Sequence, residues 1–352
     1  MRVLLIKTSS LGDVIHTLPA LTDALAANPN VRFDWVVEEN FVEIPSWHPA
    51  VEQVIPVAIR RWRKNILHTW RSGEWREFKE KLHQQHYDIV IDAQGLLKSA
   101  WLTRGFNVPV AGFSRQSIRE PMASYFYDRH YNVAPYLHAV ERTRQLFALA
   151  LGYPVPQHVG QYSLQRESLI TEQPTEPYVV FIHGTTWPSK HWPQAAWRAL
   201  AERLGEQGIA VRIPWGNAVE HERAQAIADG LSHVQVLPRL KISGVAEHIA
   251  GAQACVAVDT GLGHLAAALD VPCVSLYGPT LPGRVGAYGQ GQVHLCAKGP
   301  HAGRGDRHLE CFNELGAEQV LAALQPLLVA AKTSDSIDCS ALETAPQSKA
   351  AH

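Results

Sequence analysis

Short apolar runs alternate along this chain with segments whose apolar positions recur at helical spacing. That is the pattern of parallel strands joined by crossover helices and buried on both faces. It occurs as two series. In the first, strands are predicted near residues 3–6, 33–37, 53–57, 87–92 and 108–112, with helices near 19–27, 74–86 and 138–151. In the second, strands are predicted near 178–183, 210–214, 234–237, 254–259 and 272–277, and Pro193 and Gly261 stand where helices begin. The implied fold class is α/β, with two Rossmann-like parallel-sheet domains, 1–155 and 178–317, facing a central cleft and joined by a proline-bearing linker, 156–177. One more apolar helix, 318–332, is expected to cross back toward the first domain. Residues 333–352 are small, polar and aperiodic, and are expected to form a disordered tail.

Composition narrows the classes. Of 352 residues, 46% belong to the AVILMFWYC set and 18% are charged, which excludes disorder for the bulk of the chain. A net charge of −1 offers nucleic acid no global attraction, so any basic function must be local and no nucleic-acid partner is expected. The five cysteines have no CxxC spacing, which argues against a disulfide framework and a zinc site. The 18 histidines form no HExxH pattern, and His83-Gln-Gln-His86 has no third ligand nearby, so neither a metal nor another cofactor is expected. The apolar run from Val3 to Ile6 is too short for a signal peptide, and no stretch approaches ~18 apolar residues. A protein neither exported nor membrane-spanning is expected.

In facing open sheets a ligand lies at the carboxyl ends of the strands, so the loops after strands carry the candidate chemistry. After the first strand comes Lys7-Thr-Ser-Ser-Leu-Gly-Asp13. Asp13 there is either a turn or cap residue, or a base that takes the proton of an acceptor hydroxyl during displacement. The loop from His183 to Pro193 resembles a P-loop only superficially, because Ser189 replaces a glycine and His191 the metal-binding hydroxyl. Thr185, Thr186 and Lys190 still suit a diphosphate, although a solvated lysine is the plainer account. Asp259-Thr260-Gly261-Leu-Gly263-His264 runs from a strand into a small-residue helix whose free amides suit an anion. His264 is either a ligand to sugar or phosphate, or a packing residue. After Pro214, Glu220 and Glu222 are either ribose-diol acceptors or first-turn acids, the second account being stronger for Glu222.

Charge is concentrated in one place. Between Arg60 and Lys81 eight Lys/Arg face three Glu, with Trp62, Trp70 and Trp75 interleaved. Such a stretch can grip phosphates while its indoles settle at a lipid headgroup boundary; nucleic acid would attract it too, and an ordinary solvated helix explains its Glu-containing second half.

The stretches Arg2-Val-Leu-Leu-Ile-Lys-Thr-Ser-Ser-Leu-Gly-Asp-Val-Ile-His-Thr-Leu-Pro19, Asp92-Ala-Gln-Gly-Leu-Leu-Lys-Ser99, Lys190-His-Trp-Pro193 and Asp259-Thr-Gly-Leu-Gly-His-Leu resemble the lipopolysaccharide heptosyltransferase I family. His138-Ala-Val-Glu-Arg-Thr-Arg144 and Tyr277-Gly-Pro-Thr280 extend the likeness over about residues 1 to 330. The resemblance implies a GT-B fold whose first domain holds the acceptor and whose second holds the nucleotide sugar. It implies transfer of L-glycero-D-manno-heptose from ADP-heptose to the 3-deoxy-octulosonate (Kdo) sugar of Kdo-lipid A, with inversion, at the cytoplasmic face of the inner membrane. By the same resemblance Asp13 and Lys190 are catalytic. Thr185, Thr186, Lys190, Glu220, Leu240, Asp259, Thr260, Gly261 and His264 bind the donor, Leu240 through the adenine. Arg60, Arg61, Arg63, Lys64, Lys98, Arg119 and Arg142 bind the acceptor. The competing expectations are a GT-B transferase for another nucleotide sugar or acceptor, and a non-catalytic protein that binds anionic saccharide or lipid.

Overall fold

The protein is described from a computed structural model covering residues 1–297, 311, 312 and 314–337. The first half contributes β1 (Arg2–Ile6), β2 (Arg32–Glu38), β3 (Val51–Val57), β4 (Ile89–Asp92), β5 (Val110–Phe113) and β6 (Arg129–Tyr131). They form one parallel sheet in the order β3-β2-β1-β4-β5-β6. The second half contributes β7 (Tyr178–Ile182), β8 (Ala210–Ile213), β9 (Val234–Val236), β10 (Ala254–Val258), β11 (Cys273–Tyr277) and β12 (Gln292–Cys296). Their order, also parallel, is β12-β11-β10-β7-β8-β9.

Eight of the ten predicted strands lie inside the sheets with side chains buried on both faces, and Val3, Leu4, Leu5 and Ile6 of β1 are wholly buried, whereas the predicted β3 and β9 are part-exposed edge strands. β6 and β12 were not expected. Both are edge strands with one side in solvent, so their sequences, Arg-His-Tyr and Gln-Val-His-Leu-Cys, carry no apolar run. The strand order reverses between β1 and β4 and again between β7 and β10. These switch points open a crevice at the loops after β1 and β7.

Two expectations about the chain ends of the second half are corrected. The last helix spans Ala317–Ile337 and, over its described side chains, packs on the second half, since Val320, Leu324 and Leu328 belong to the second core. It covers β10 and β11 beside the helix Gln194–Gly205, a sheet face that would otherwise lie open. Residues 333–337, expected in the tail, continue this helix, while 338–352 with Cys339 lie outside the described residues. The stretch 156–177 is tied to both halves: Arg144 of the first donates to the His158 carbonyl at 2.8 Å, and Arg166 donates to the carbonyls of Ala250 at 2.6 Å and Ala252 at 3.1 Å in the second.

The halves meet where the one-turn helix Leu11–Ile15, following β1, packs on the helix Gly261–Ala268, following β10. Glycines permit the approach. A Cβ on Gly12 would lie 2.6 Å from the His264 ring and one on Gly261 2.8 Å from Leu11.

Candidate active site

A cleft of about 730 Å³ lies at this contact, lined by the loops after β1, β7, β8 and β10. Asp13 occupies the third position of the helix Leu11–Ile15, whose N-cap is Ser10. Its Oδ2 accepts hydrogen bonds from the Ser10 backbone N–H at 2.8 Å and the Ser10 hydroxyl at 2.9 Å. Its Oδ1 is 4.0 Å from Lys7 Nζ, and 39% of the side chain is exposed. The capping account of Asp13 is what these bonds describe: one oxygen closes the capping box with Ser10, and the residue lines the cleft.

Lys7 is buried and donates to the Ala93 carbonyl at 3.0 Å. Burial pushes its pKa down, against the pull of Asp13 and Asp92. A pocket of about 150 Å³ beside the cleft brings Lys7, Asp13, His16, Arg119 and Arg142 together. Arg142 lies over the Phe113 ring at 4.8 Å and donates to the Ser117 carbonyl. Lys98 donates to Ser9 Oγ at 3.1 Å, from just behind the loop.

Of the basic residues singled out in the sequence, Arg60 and Arg119 line the cleft, and Arg119 and Arg142 line the pocket beside it. Arg61 is engaged elsewhere, with Glu39 at 3.2 Å and Glu74 at 2.7 Å. Arg63 and Lys64 line neither space. The expected layer of lipid-facing indoles is also corrected. Trp62 and Trp75 pack on each other and on Phe78, Trp62 Nε1 donates to Glu74, and of the three only Trp70 stands out in solvent.

In the second half, Lys190 Nζ lies 2.5 Å from Asp259 Oδ2 and 4.5 Å from the centre of the Trp187 ring. The same Oδ2 accepts from the Thr280 hydroxyl at 2.7 Å, and Thr185 Oγ1 donates to the Asp259 carbonyl at 3.1 Å. Asp259 thus holds the ammonium from behind and joins the loops after β7, β10 and β11. Thr260 is the N-cap residue of the eight-residue helix Gly261–Ala268; the Gly263 N–H bonds the Thr260 carbonyl at 3.1 Å, and the positive end of the helix dipole forms the cleft floor. Thr186 lines the same wall. Glu220 opens the helix Ala218–Ala228, and its Oε2 accepts the Gly216 N–H at 2.7 Å. A Cβ on Gly184 would come 2.8 Å from the Glu220 carboxyl carbon, so the glycine is what lets the acid reach the end of β7. Leu240, Ile242 and Val245 give an apolar flank, and Trp215 is fixed by its Nε1–H bond to the Leu237 carbonyl at 2.7 Å.

His264 is buried on the cleft floor. Burial first, with the nearby Lys190 and His138 adding to it, brings its pKa to about 4, so the ring is neutral near pH 7. Its ring meets that of His16 at 4.4 Å, and His16 meets His138 at 5.3 Å. Among the described residues, His264 Nδ1 and His16 Nε2 have no hydrogen-bond partner. His138 Nε2 bonds the Gly286 carbonyl at 3.1 Å, across the two halves.

These three rings make folding sensitive to acid. All three are held below the ordinary imidazole value, chiefly by burial, so between about pH 6.5 and their folded values the unfolded chain binds more protons than the folded one. Their stabilising contribution is full above about pH 6.5 and is lost as pH falls. Asp92 and Glu38, raised by burial, act in the opposite sense at lower pH. The expected result is a melting midpoint that drops from pH 7 to pH 5, and by less in His16→Gln than in the parent. An identical slope in both proteins would count against the cluster.

Lys7, His16, Gln94 and Thr280 stand in the stretches that carry the resemblance but were given no site role in the sequence. Gln94 Oε1 accepts the N–H groups of Thr8 and Ser9, at 3.0 Å each. Gln94 and Thr280 follow β4 and β11, so a wider reading of loops after strands would have found them. His16 had no such signal, because its partners come from remote parts of the chain.

Residues 75–311 match the family described as glycosyltransferase family 9 (heptosyltransferase). Lipopolysaccharide heptosyltransferase 1 of Pseudomonas aeruginosa is 60% identical over 353 aligned residues, covering 95% of this chain and 99% of that protein. The solved structure of E. coli heptosyltransferase WaaC with ADP is similar at a TM-score of 0.86 and 49% identity, over 93% of this chain and 100% of that one. WaaC with ADP-2-deoxy-2-fluoro heptose gives 0.83 and 48%, over 93% and 99%.

Proposed function

The chain belongs to glycosyltransferase family 9, the heptosyltransferases, and on that premise we propose one inverting transfer from ADP-heptose to the Kdo sugar of Kdo-lipid A. It is a GT-B glycosyltransferase of lipopolysaccharide core synthesis. The observation that carries the finer reading is the opposition, across one cleft, of the Asp13 carboxylate to Lys190 and the N-terminus of the helix Gly261–Ala268. In this reading residues 1–155 hold the acceptor and 178–317 the donor.

The acceptor hydroxyl attacks the anomeric carbon as Asp13 takes its proton. The bond from that carbon to the diphosphate oxygen breaks, and ADP leaves with the electron pair. Lys190 and the first-turn amides receive the charge that develops on the leaving oxygen. Thr185 and Thr186 bond the phosphates, Leu240 packs on adenine and Glu220 takes the ribose hydroxyls. Arg60, Arg119 and Arg142 meet the acceptor's anionic groups, with Lys98 supporting the loop. In this reading the protein rests on the cytoplasmic face of the inner membrane, and no helix among the described residues is long and apolar enough to cross a membrane.

The direct test is incubation with ADP-heptose and Kdo-lipid A, followed by mass analysis. The expected product carries one added heptose. No mass gain with this pair, together with transfer from a uridine-linked sugar, would sink the donor assignment. Glu220→Ala is expected to raise the donor KM about tenfold or more with little change in kcat, since a ribose contact is made equally in ground and transition states. A fall in kcat at unchanged KM would deny Glu220 that role.

A further inference from the structure

We propose that the face built by residues 97–104 and 115–126 lays the protein on an anionic phospholipid bilayer, a surface that rests on the reading of the acceptor as lipid-linked. Leu97, Trp101, Met122 and Tyr125 are 45%, 52%, 59% and 67% exposed. They come from two segments packed side by side. The Leu97 N–H donates to Glu120 Oε2 at 2.7 Å, and the Trp101 and Phe126 rings lie 6.2 Å apart. Large apolar side chains clustered in water mark a surface that is covered in use.

What covers it follows from the charges set among them. Arg104 lies 4.5 Å over the Trp101 ring, and Arg115 bonds the Tyr125 hydroxyl at 3.3 Å. Between residues 97 and 126 the charged side chains are Lys98, Arg104, Arg115, Arg119 and Glu120, and the lone carboxylate is tied to the Leu97 backbone. In a chain of net charge −1 this is a local cationic excess around apolar tips. A headgroup layer of phosphates above hydrocarbon matches it, with arginines at the phosphates and Trp, Tyr, Leu and Met below them. A groove of about 320 Å³ between Trp101 and Trp75, bordered by Arg104 and Lys79, continues the same character.

Position supports the assignment. Lys98 reaches Ser9 of the Asp13 loop, and Arg119 lines the cleft, so the face adjoins the mouth through which an acceptor sugar must enter. With this face on the bilayer, the acyl chains of an acceptor stay in the membrane while its sugar reaches Asp13.

The test is co-sedimentation with vesicles of phosphatidylethanolamine and phosphatidylglycerol, and with vesicles of phosphatidylcholine alone. The parent protein is expected to pellet with the anionic vesicles, less so in added salt, and poorly with the neutral ones. Trp101→Ser, Met122→Ser and Tyr125→Ser combined should lower that partitioning about tenfold or more. Turnover on a Kdo-bearing acceptor stripped of its acyl chains should stay at the parental level, which also reports that the variant is folded. Turnover on vesicle-embedded acceptor should fall. Failure of the parent on the stripped acceptor would defeat the functional reading, and the vesicle result would still decide this surface. The surface is overturned if the variant pellets like the parent, if the parent does not bind anionic vesicles, or if the substitutions instead dissociate a dimer seen by light scattering.

Discussion

Asp13→Asn is expected to lower kcat by ~10²–10⁴ while ADP still binds with near-parental affinity. The amide keeps the size of the carboxylate, and its single carbonyl oxygen can still accept the Ser10 N–H that Oδ2 accepts at 2.8 Å, so the helix Leu11–Ile15 keeps its cap. What it loses is the second carboxylate oxygen, the one 4.0 Å from Lys7, on a side chain that is 39% exposed. An amide cannot take a proton from a hydroxyl at neutral pH, so the acceptor must attack without a base. Asp13→Ala removes both the base and the cap, and should add a loss of stability to the same loss of turnover. The measurements are steady-state kinetics with both substrates saturating, calorimetric ADP binding and a thermal melt. Retention of most of the parental kcat by a folded Asp13→Asn would reduce Asp13 to its capping role.

How much of this could be read from the chain alone depended on the range of the forces involved. Strands buried on both faces write themselves as apolar runs, which is why β1 and β7 and the loops after them stood out. The loops then supplied Asp13, Lys190, Glu220 and Thr260 to a single cleft. The edge strands β6 and β12 lie half in water and left no run to find, while the edge strands β3 and β9 kept enough Val and Ile to be seen. The commitment of Arg61 to Glu39 and Glu74 was hidden for a different reason. The acids arrive from the end of β2 and from a later helix, and only the folded chain places them beside one guanidinium. The contact of His16, His138 and His264 is likewise a product of the two halves meeting. The final helix carried a plain apolar stripe, but a stripe states that a face is buried and not which sheet buries it.

The second large effect concerns the cation. Lys190→Ala is expected to lower kcat by ~10²–10³ with a smaller change in donor KM, because charge on the leaving diphosphate grows as its bond to the sugar breaks. Part of that loss should come from Asp259 and not from the missing ammonium alone. In the parent the Asp259 carboxylate is buried at 8% exposure and matched by Lys190 Nζ at 2.5 Å, with Thr280 as its other donor. Removing the lysine leaves an unmatched, poorly solvated anion beside a site that must receive another anion, and like charges at short range repel strongly where water is scarce. Adding Asp259→Asn to Lys190→Ala should therefore restore part of the lost turnover, although Asp259→Asn alone lowers it by freeing the lysine from its anchor. This sign reversal separates an electrostatic pair serving the leaving group from two independent contacts to the donor. If the losses of the two single variants simply multiplied in the double variant, Asp259 would be binding the donor in its own right, and Lys190 would not depend on it for its position.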